Sequence, residues 1–181
     1  ITASVDGEEV ADAVLEVVAN VTTPEEFNEA IESSTVTTIN VSNEIEVKAP
    51  QRINTNKTIN GNNNLTVIPT AAPTNGTYGF LIDNGVTATL NDITIQGADQ
   101  QGRGIILAQG GDANVTVNNV TIDGVRTGIF VNAGTLSGAD NTITNTVVGI
   151  AVEEGAVNNL TESENTFENN ESNIDDANIT E

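Results

Sequence analysis

Gly79-Phe80-Leu81-Ile82, Gly104-Ile105-Ile106-Leu107, Gly128-Ile129-Phe130-Val131 and Gly149-Ile150-Ala151-Val152 are four occurrences of one pattern, a glycine followed by three mostly aliphatic residues. The glycines advance in steps of 25, 24 and 21 positions. A second mark, an asparagine two places before an apolar residue, advances beside the first. It occurs at Asn91-Asp92-Ile93, Asn118-Asn119-Val120, Asn141-Thr142-Ile143 and Asn165-Thr166-Phe167, in steps of 27, 23 and 24. Two marks moving together at this period define a solenoid, whose units bury their apolar faces against their neighbours.

The residues select the kind of coil. Each repeat holds two or three runs of four to six residues rich in Val, Ile and Thr, broken by Gly, Asn and Asp. Such runs read as short strands joined by tight turns. No repeat contains a helix-length apolar period, so leucine-rich, ankyrin and TPR arrays are excluded. The expected fold is all-β, a right-handed parallel β-helix of about six coils in which each coil hydrogen-bonds to the next. Asparagine suits a coil corner because it tolerates left-handed backbone angles and its amide can bond to amides above and below. Carrying the register backwards through Asn63-Asn64-Leu65 and Asn43-Glu44-Ile45 gives an expected ladder of Asn43, Asn63, Asn91, Asn118, Asn141 and Asn165.

The N-terminal part supplies a start signal. Residues 1–22 read as an N-terminal extension, an inter-subunit helix or strand: Val10, Val14, Val17, Val18 and Val21 fit a helical face, whereas β-branched density favours the strand. In Thr23-Pro24-Glu25-Glu26, Thr23 is placed as N-cap, Pro24 at the first helical position and Glu26 to close a capping box. Phe27, Ala30 and Ile31 then line one face of a short helix, giving a capping helix over 23–34 that covers the open first coil. The β-helix is expected over 35–167, with Pro69 to Thr77 as a loop bulging from the rod. Residues 168–181 read as a polar C-terminal tail.

The segment from Thr23-Pro24-Glu25-Glu26-Phe27 through Thr38-Ile39-Asn40-Val41 to Thr58-Ile59-Asn60-Gly61-Asn62 resembles the start of pectate-lyase-like adhesive domains and other right-handed β-helix repeat proteins of microbial surfaces. The likeness runs over about residues 23 to 167. It implies a capping helix followed by strands and a surface role.

Composition narrows the partners. Five Lys and Arg face 26 Asp and Glu, a net charge of −21. A nucleic-acid backbone would be repelled, and so would an anionic membrane surface. Strong acidity speaks for solubility, cation attraction and a salty habitat rather than for a fold. Cys, Met, Trp and His are all absent, which removes disulfides, thiol chemistry and imidazole metal sites. No cofactor is expected. No run of 18 apolar residues exists to span a membrane as a helix. Starting at Ile1, the chain reads as a processed protein or an excised domain of extracellular origin.

Candidate site residues are few. Asn-x-Ser/Thr acceptors occur at Asn20, Asn40, Asn56, Asn75, Asn114, Asn159, Asn170 and Asn178, with two more, Asn64 and Asn119, at packed corners. β-Helix lyases and hydrolases use clustered carboxylates with a basic residue. Here Asp92 falls in register beside Asn119, then Thr142 and Thr166, so Asp92, Asp99 and Asp123 do not stack with Arg103 and Arg126 into a cluster. Arg126 reads as a surface ion-pair partner of Asp123. Asp92, Asp99, Asp112, Asp123, Glu153 and Glu154 are oxygen ligands near turns, without the spacing of a calcium loop, and no metal is assigned. One Tyr, four Phe and no Trp leave little for sugar stacking, and three of the Phe fall at expected core positions.

The expected function is therefore a non-catalytic extracellular structural protein, a subunit of a filament or surface layer assembling head-to-tail through an uncapped C-terminal coil. The alternatives are an adhesive β-helix module of a larger cell-surface protein, with a carbohydrate or protein ligand, and a polysaccharide lyase or epimerase relative.

Overall fold

The computed structural model describes residues 3–5, 8–10, 16–72, 76–108 and 110–178. An N-terminal antiparallel pair, β1 (Ala3–Val5) and β2 (Glu8–Val10), precedes β3 (Val18–Val21) and the helix α1 (Pro24–Glu32). The first coil is β4 (Thr38–Val41), β5 (Ile45–Val47) and β6 (Gln51–Ile53). The second is β7 (Lys57–Val67), which bends midway, a short β8 (Thr70–Ala71) in the bulging loop, and β9 (Thr77–Ile82). The third is a bent β10 (Thr87–Gln96) and β11 (Arg103–Leu107). The fourth is β12 (Asn114–Asn118), β13 (Thr121–Asp123) and β14 (Thr127–Val131). The fifth is β15 (Thr135–Ala139), β16 (Thr142–Thr144) and β17 (Val148–Val152). The last is β18 (Val157–Asn158), β19 (Thr166–Glu168) and β20 (Ser172–Asp176). Coil-to-coil pairing is parallel throughout, giving a β-solenoid of about six turns.

Alternation along each strand sorts the residues. Inward positions stack into columns of like residues. Val47, Val67, Ile95, Ile122, Ile143 and Phe167 form one, and Phe80, Ile105, Ile129, Ile150 and Ile174 another. Most members are fully buried, and each such Val, Ile or Phe contributes roughly 1.5–3 kcal/mol by leaving water.

Outside the first coil, α1 lays Phe27, Ala30 and Ile31 over the end of this core. The Thr23 cap forms as the sequence predicts, but the Glu26 carboxylate closes on Thr22, one residue before the cap. Thr23 Oγ1 accepts from the Glu26 N–H at 3.2 Å, and the Glu26 carboxylate accepts from the Thr22 N–H at 2.7 Å. At the other end of α1, Lys57 Nζ donates to the carbonyls of Ser33 (2.7 Å) and Val36 (2.8 Å), a cation where the helix dipole is negative.

The glycine mark is a column of close approaches. Gly79, Gly104, Gly128 and Gly149 lie one above another, and a Cβ on Gly104 would sit 2.6 Å from the Gly128 carbonyl oxygen. Two corner positions take the left-handed backbone instead. Asn63, Asp92, Asn119 and Asp140 have φ between 51° and 60° at the first bend, and Gly124, Asn145 and Asn169 turn the next.

Three expectations are corrected. The coil does not stop at Phe167, because β20 pairs with β17 through Val148↔Ser172 and Ile150↔Ile174 within the segment read as a polar tail. Strand pairing uses backbone groups, and the Asn170 amide adds bonds from the Thr146 N–H (3.0 Å) and to the Ile143 carbonyl (3.0 Å) where apolar contacts run out. At the start, Val18–Val21 is the first rung of the sheet rather than part of an extension. Residues 1, 2, 6, 7 and 11–15 of that stretch lie outside the described residues.

The third correction concerns the ladder. Asn91 and Asn118 do stack, at 3.0 Å, but their column continues through Asn60, Asn40 and Asn20. Asn63 sits at the bend and Asn43 in an exposed turn. Between Asn60 and Leu65 the chain carries extra residues that the next coil replaces with Asp92 alone, so counting back from the apolar residue lands on the wrong asparagine. Asn141 and Asn165 form a separate buried pair at 2.9 Å, in register with Val120.

Candidate binding faces

Each coil shows three outer faces. On the first-strand face, the outward residues Val18, Thr38, Thr58, Thr89, Thr116 and Ser137 form one column, and Asn20, Asn40, Asn60, Asn91 and Asn118 form its neighbour. A third, shorter column holds Thr87, Asn114, Thr135 and Val157. Asparagine amides hand one hydrogen bond up each step, at 2.8–3.2 Å, which fixes their rotamers and leaves one donor and one lone pair per residue for solvent or ligand. A shallow depression of about 360 Å³ lies on this face between Thr38, Thr58 and Thr89.

The second-strand face carries Glu46, Thr66, Thr94, Thr121, Thr142 and Thr166 in register. At its edge the Asp123 carboxylate accepts from Asn145 Nδ2, Gln96 Nε2 (2.8 Å) and Thr144 Oγ1 (2.9 Å). The Asn145 bond, then the Gln96 bond, hold its carboxyl below the usual carboxylate range. A lowered folded-state pKa gives stability that is complete above the unfolded value of about 3.9 and is lost as pH falls through the folded value. Asp123→Asn should cost about 1 kcal/mol at neutral pH, low for charge-assisted bonds because water reaches the site. Denaturant titrations of both proteins should begin to converge as pH falls below about 4 and meet only below the lowered folded-state value.

On the third face, Leu81, Ile106, Phe130 and Ala151 make an outward apolar stripe continuing from Arg52. Ala72 of the bulging loop packs on it. Phe130 therefore points out of the solenoid, not into its core. Arg103 lies over its ring, 4.6 Å from the centroid. The alternation after Gly128, with Ile129 and Val131 buried, carried this signal in the sequence.

Carboxylates do not converge. Asp92 accepts the Asn119 amide at 2.7 Å in one corner, as the register predicted. Asp99, Asp112, Glu153 and Glu154 occupy exposed turns elsewhere on the coils. Among the described residues no three Asp or Glu side chains are grouped to hold a metal. Arg126 is not the partner of Asp123, whose oxygens are taken by Asn145, Gln96 and Thr144. Of the cations, Lys48 pairs with Glu46 (2.7 Å) and Arg52 with Asp83 (2.9 Å). Arg103 and Arg126 meet no carboxylate within 4.0 Å among the described residues.

The glycan acceptors divide by use. Asn40, Asn170 and Asn178 spend their amides on neighbouring coils, and Asn20 accepts in the ladder. Asn56 accepts the Thr87 N–H (2.8 Å), Asn114 donates to the Asp112 carbonyl (3.1 Å), and Asn159 is exposed. Asn75 lies outside the described residues.

The chain is thus a parallel β-solenoid with ordered polar columns outside and dispersed carboxylates. Residues 18–180 match the family described as "Putative pectate lyase-like adhesive domain", and the chain belongs to that family. No curated protein and no solved structure matches the chain. No helix of the described residues is long and apolar enough to cross a membrane.

Proposed function

We propose that this domain is a non-catalytic adhesive module of an extracellular surface protein. The supporting observation is the pairing of family membership with carboxylates committed to structural hydrogen bonds or scattered over separate turns. A lyase or epimerase centre needs its acids and its base within reach of one sugar, and Asp92 and Asp123 lie at different bends.

A head-to-tail filament is the weaker reading. Among the described residues no strand pairs beyond β18, β19 and β20, and an added strand would suit that edge. At the other end β3, β5 and β6 each have one strand partner among the described residues, and α1 packs against all three, so a second copy would have to displace the helix to continue the coil.

Beads coated with the purified domain should attach saturably to surfaces coated with cell-wall or matrix polysaccharide. The domain should remain monomeric by light scattering and leave polyuronates uncleaved with or without calcium. Cleavage, or beads that never attach, would overturn the reading.

A further inference from the structure

The first-strand face differs chemically from the rest of the molecule. In a chain of net charge −21, its outward columns from Val18 to Val157 contain Thr, Ser, Asn, Val and Ala and no charged side chain. One carboxylate does stand against these columns: Glu16 accepts the Thr38 hydroxyl at 2.8 Å and lines one side of the depression beside Thr38. Lys57, though in the same sheet, turns inward and is buried.

Two further observations fall on the same face. The depression between Thr38, Thr58 and Thr89 is there. So are Val18 and Val157, the two exposed large apolar side chains of the described residues, at 47% and 46% exposure. The face therefore offers hydroxyls and amides in a grid, with methyl groups between them and an apolar residue at each end. Parallel stacking sets the grid at about 4.8 Å up the rod and about 6.7 Å along each strand. The step up the rod is close to the advance of one pyranose unit in an extended chain.

We propose that this face is the ligand-binding surface of the adhesive module and that its ligand is a neutral, extended polysaccharide strand lying along the rod axis. This rests on the adhesive reading above. Repetition fits the ligand: donors and acceptors recur coil by coil as hydroxyls recur along a glycan, and the Thr and Val methyls take the sugar C–H faces. Charge selects within the class. An acidic glycan approaching this face gains no counter-charge and meets the repulsion of the whole rod, whereas a neutral one loses nothing to it.

The test is co-sedimentation and calorimetry of the purified domain with insoluble and soluble neutral glycans (a β-1,4-glucan, a xylan, a mannan, chitin), with polygalacturonate as the acidic probe. Thr58→Glu and Thr89→Glu place carboxylates on the face without disturbing inward packing, and circular dichroism melts report whether each variant folds. Arg103→Ser on the third face is the control. At least one neutral glycan should bind with little salt dependence. Its affinity should fall about tenfold or more in either Thr→Glu variant and stay unchanged in Arg103→Ser.

Neutral-glycan binding indifferent to both folded Thr→Glu variants overturns the proposal. So does binding of polygalacturonate alone with loss in Arg103→Ser, or Thr→Glu variants that abolish only self-association. Beads that adhere while no neutral glycan binds refute this ligand and leave the adhesive reading standing; beads that do not adhere refute that reading itself.

Discussion

Gly128→Val should destabilise the solenoid by about 3–5 kcal/mol. A Cβ at Gly128 would overlap the Gly149 carbonyl oxygen of the next coil and stand 2.8 Å from the Ile143 methyl. Neither can retreat. The carbonyl belongs to a coil held by parallel pairing on both sides, and Ile143 is fully buried in its column. A close-packed interior transmits such an overlap instead of absorbing it.

Gly85→Ala supplies the control. Gly85 has φ +74° but no atom near the position of a Cβ, so only backbone strain is charged, about 1 kcal/mol. Urea unfolding of the two variants should therefore differ by several kcal/mol. Equal midpoints would mean that the glycine column does not mark a contact between coils.

Asn141→Leu should cost about 3 kcal/mol, and Asn141→Asp at least as much. Asn141 is buried and acts as a hub. Its Oδ1 accepts the Val120 N–H at 2.9 Å, and its Nδ2 donates to the Val117 carbonyl and to Asn165 Oδ1, both at 2.9 Å. Leucine keeps the volume but strands the Val120 N–H and the Val117 carbonyl away from water, while Asn165 Oδ1 keeps the main-chain N–H of residue 141 at 3.0 Å. Aspartate keeps the acceptor, yet brings a charge against a carbonyl and an amide oxygen that had been receiving hydrogen. Asn40→Ala, in the water-accessible ladder, should cost about 1 kcal/mol or less. Thermal melts of the three variants decide the matter, and a mild Asn141→Leu would show that water enters the corner.

The architecture was legible because the packing rule that builds it acts on single residue types at fixed intervals. Gly79, Gly104, Gly128 and Gly149 are spaced by the coil itself, and the Thr23-Pro24-Glu25-Glu26 start signal is local chemistry that tertiary context had no reason to override. The amide ladder was only half legible. Asn serves three separate purposes in this chain: outward stacking at Asn91, buried bridging at Asn141 and left-handed turning at Asn63. One letter at one approximate period cannot separate them. The extra residues between Asn60 and Leu65 then shifted the count.

The site was harder to read than the coil. Inward and outward residues after each glycine are all apolar, so Phe130 looked like core although alternation turns it outward. The neutral face was visible only piecemeal. Thr38, Thr58, Thr89 and Thr116 are separated by 20, 31 and 27 residues, and nothing in the linear chain declares them neighbours until the registers are known. The polar 168–176 stretch misled for the opposite reason, since backbone pairing asks nothing of side-chain polarity.

The helix at one end and the open strands at the other give the rod a direction and an adjustable reach. Asn40 and Asn60 lie 20 residues apart where the chain winds tightly, and Asn60 and Asn91 lie 31 apart where it carries the looped coil, yet the amide hydrogen bonds measure 2.8 and 2.9 Å. Winding thus tolerates turns of unequal contour without loss of registry. A whole turn could be added or removed while α1 and its seat stay untouched, and each turn gained would extend the Thr/Asn surface by one further row.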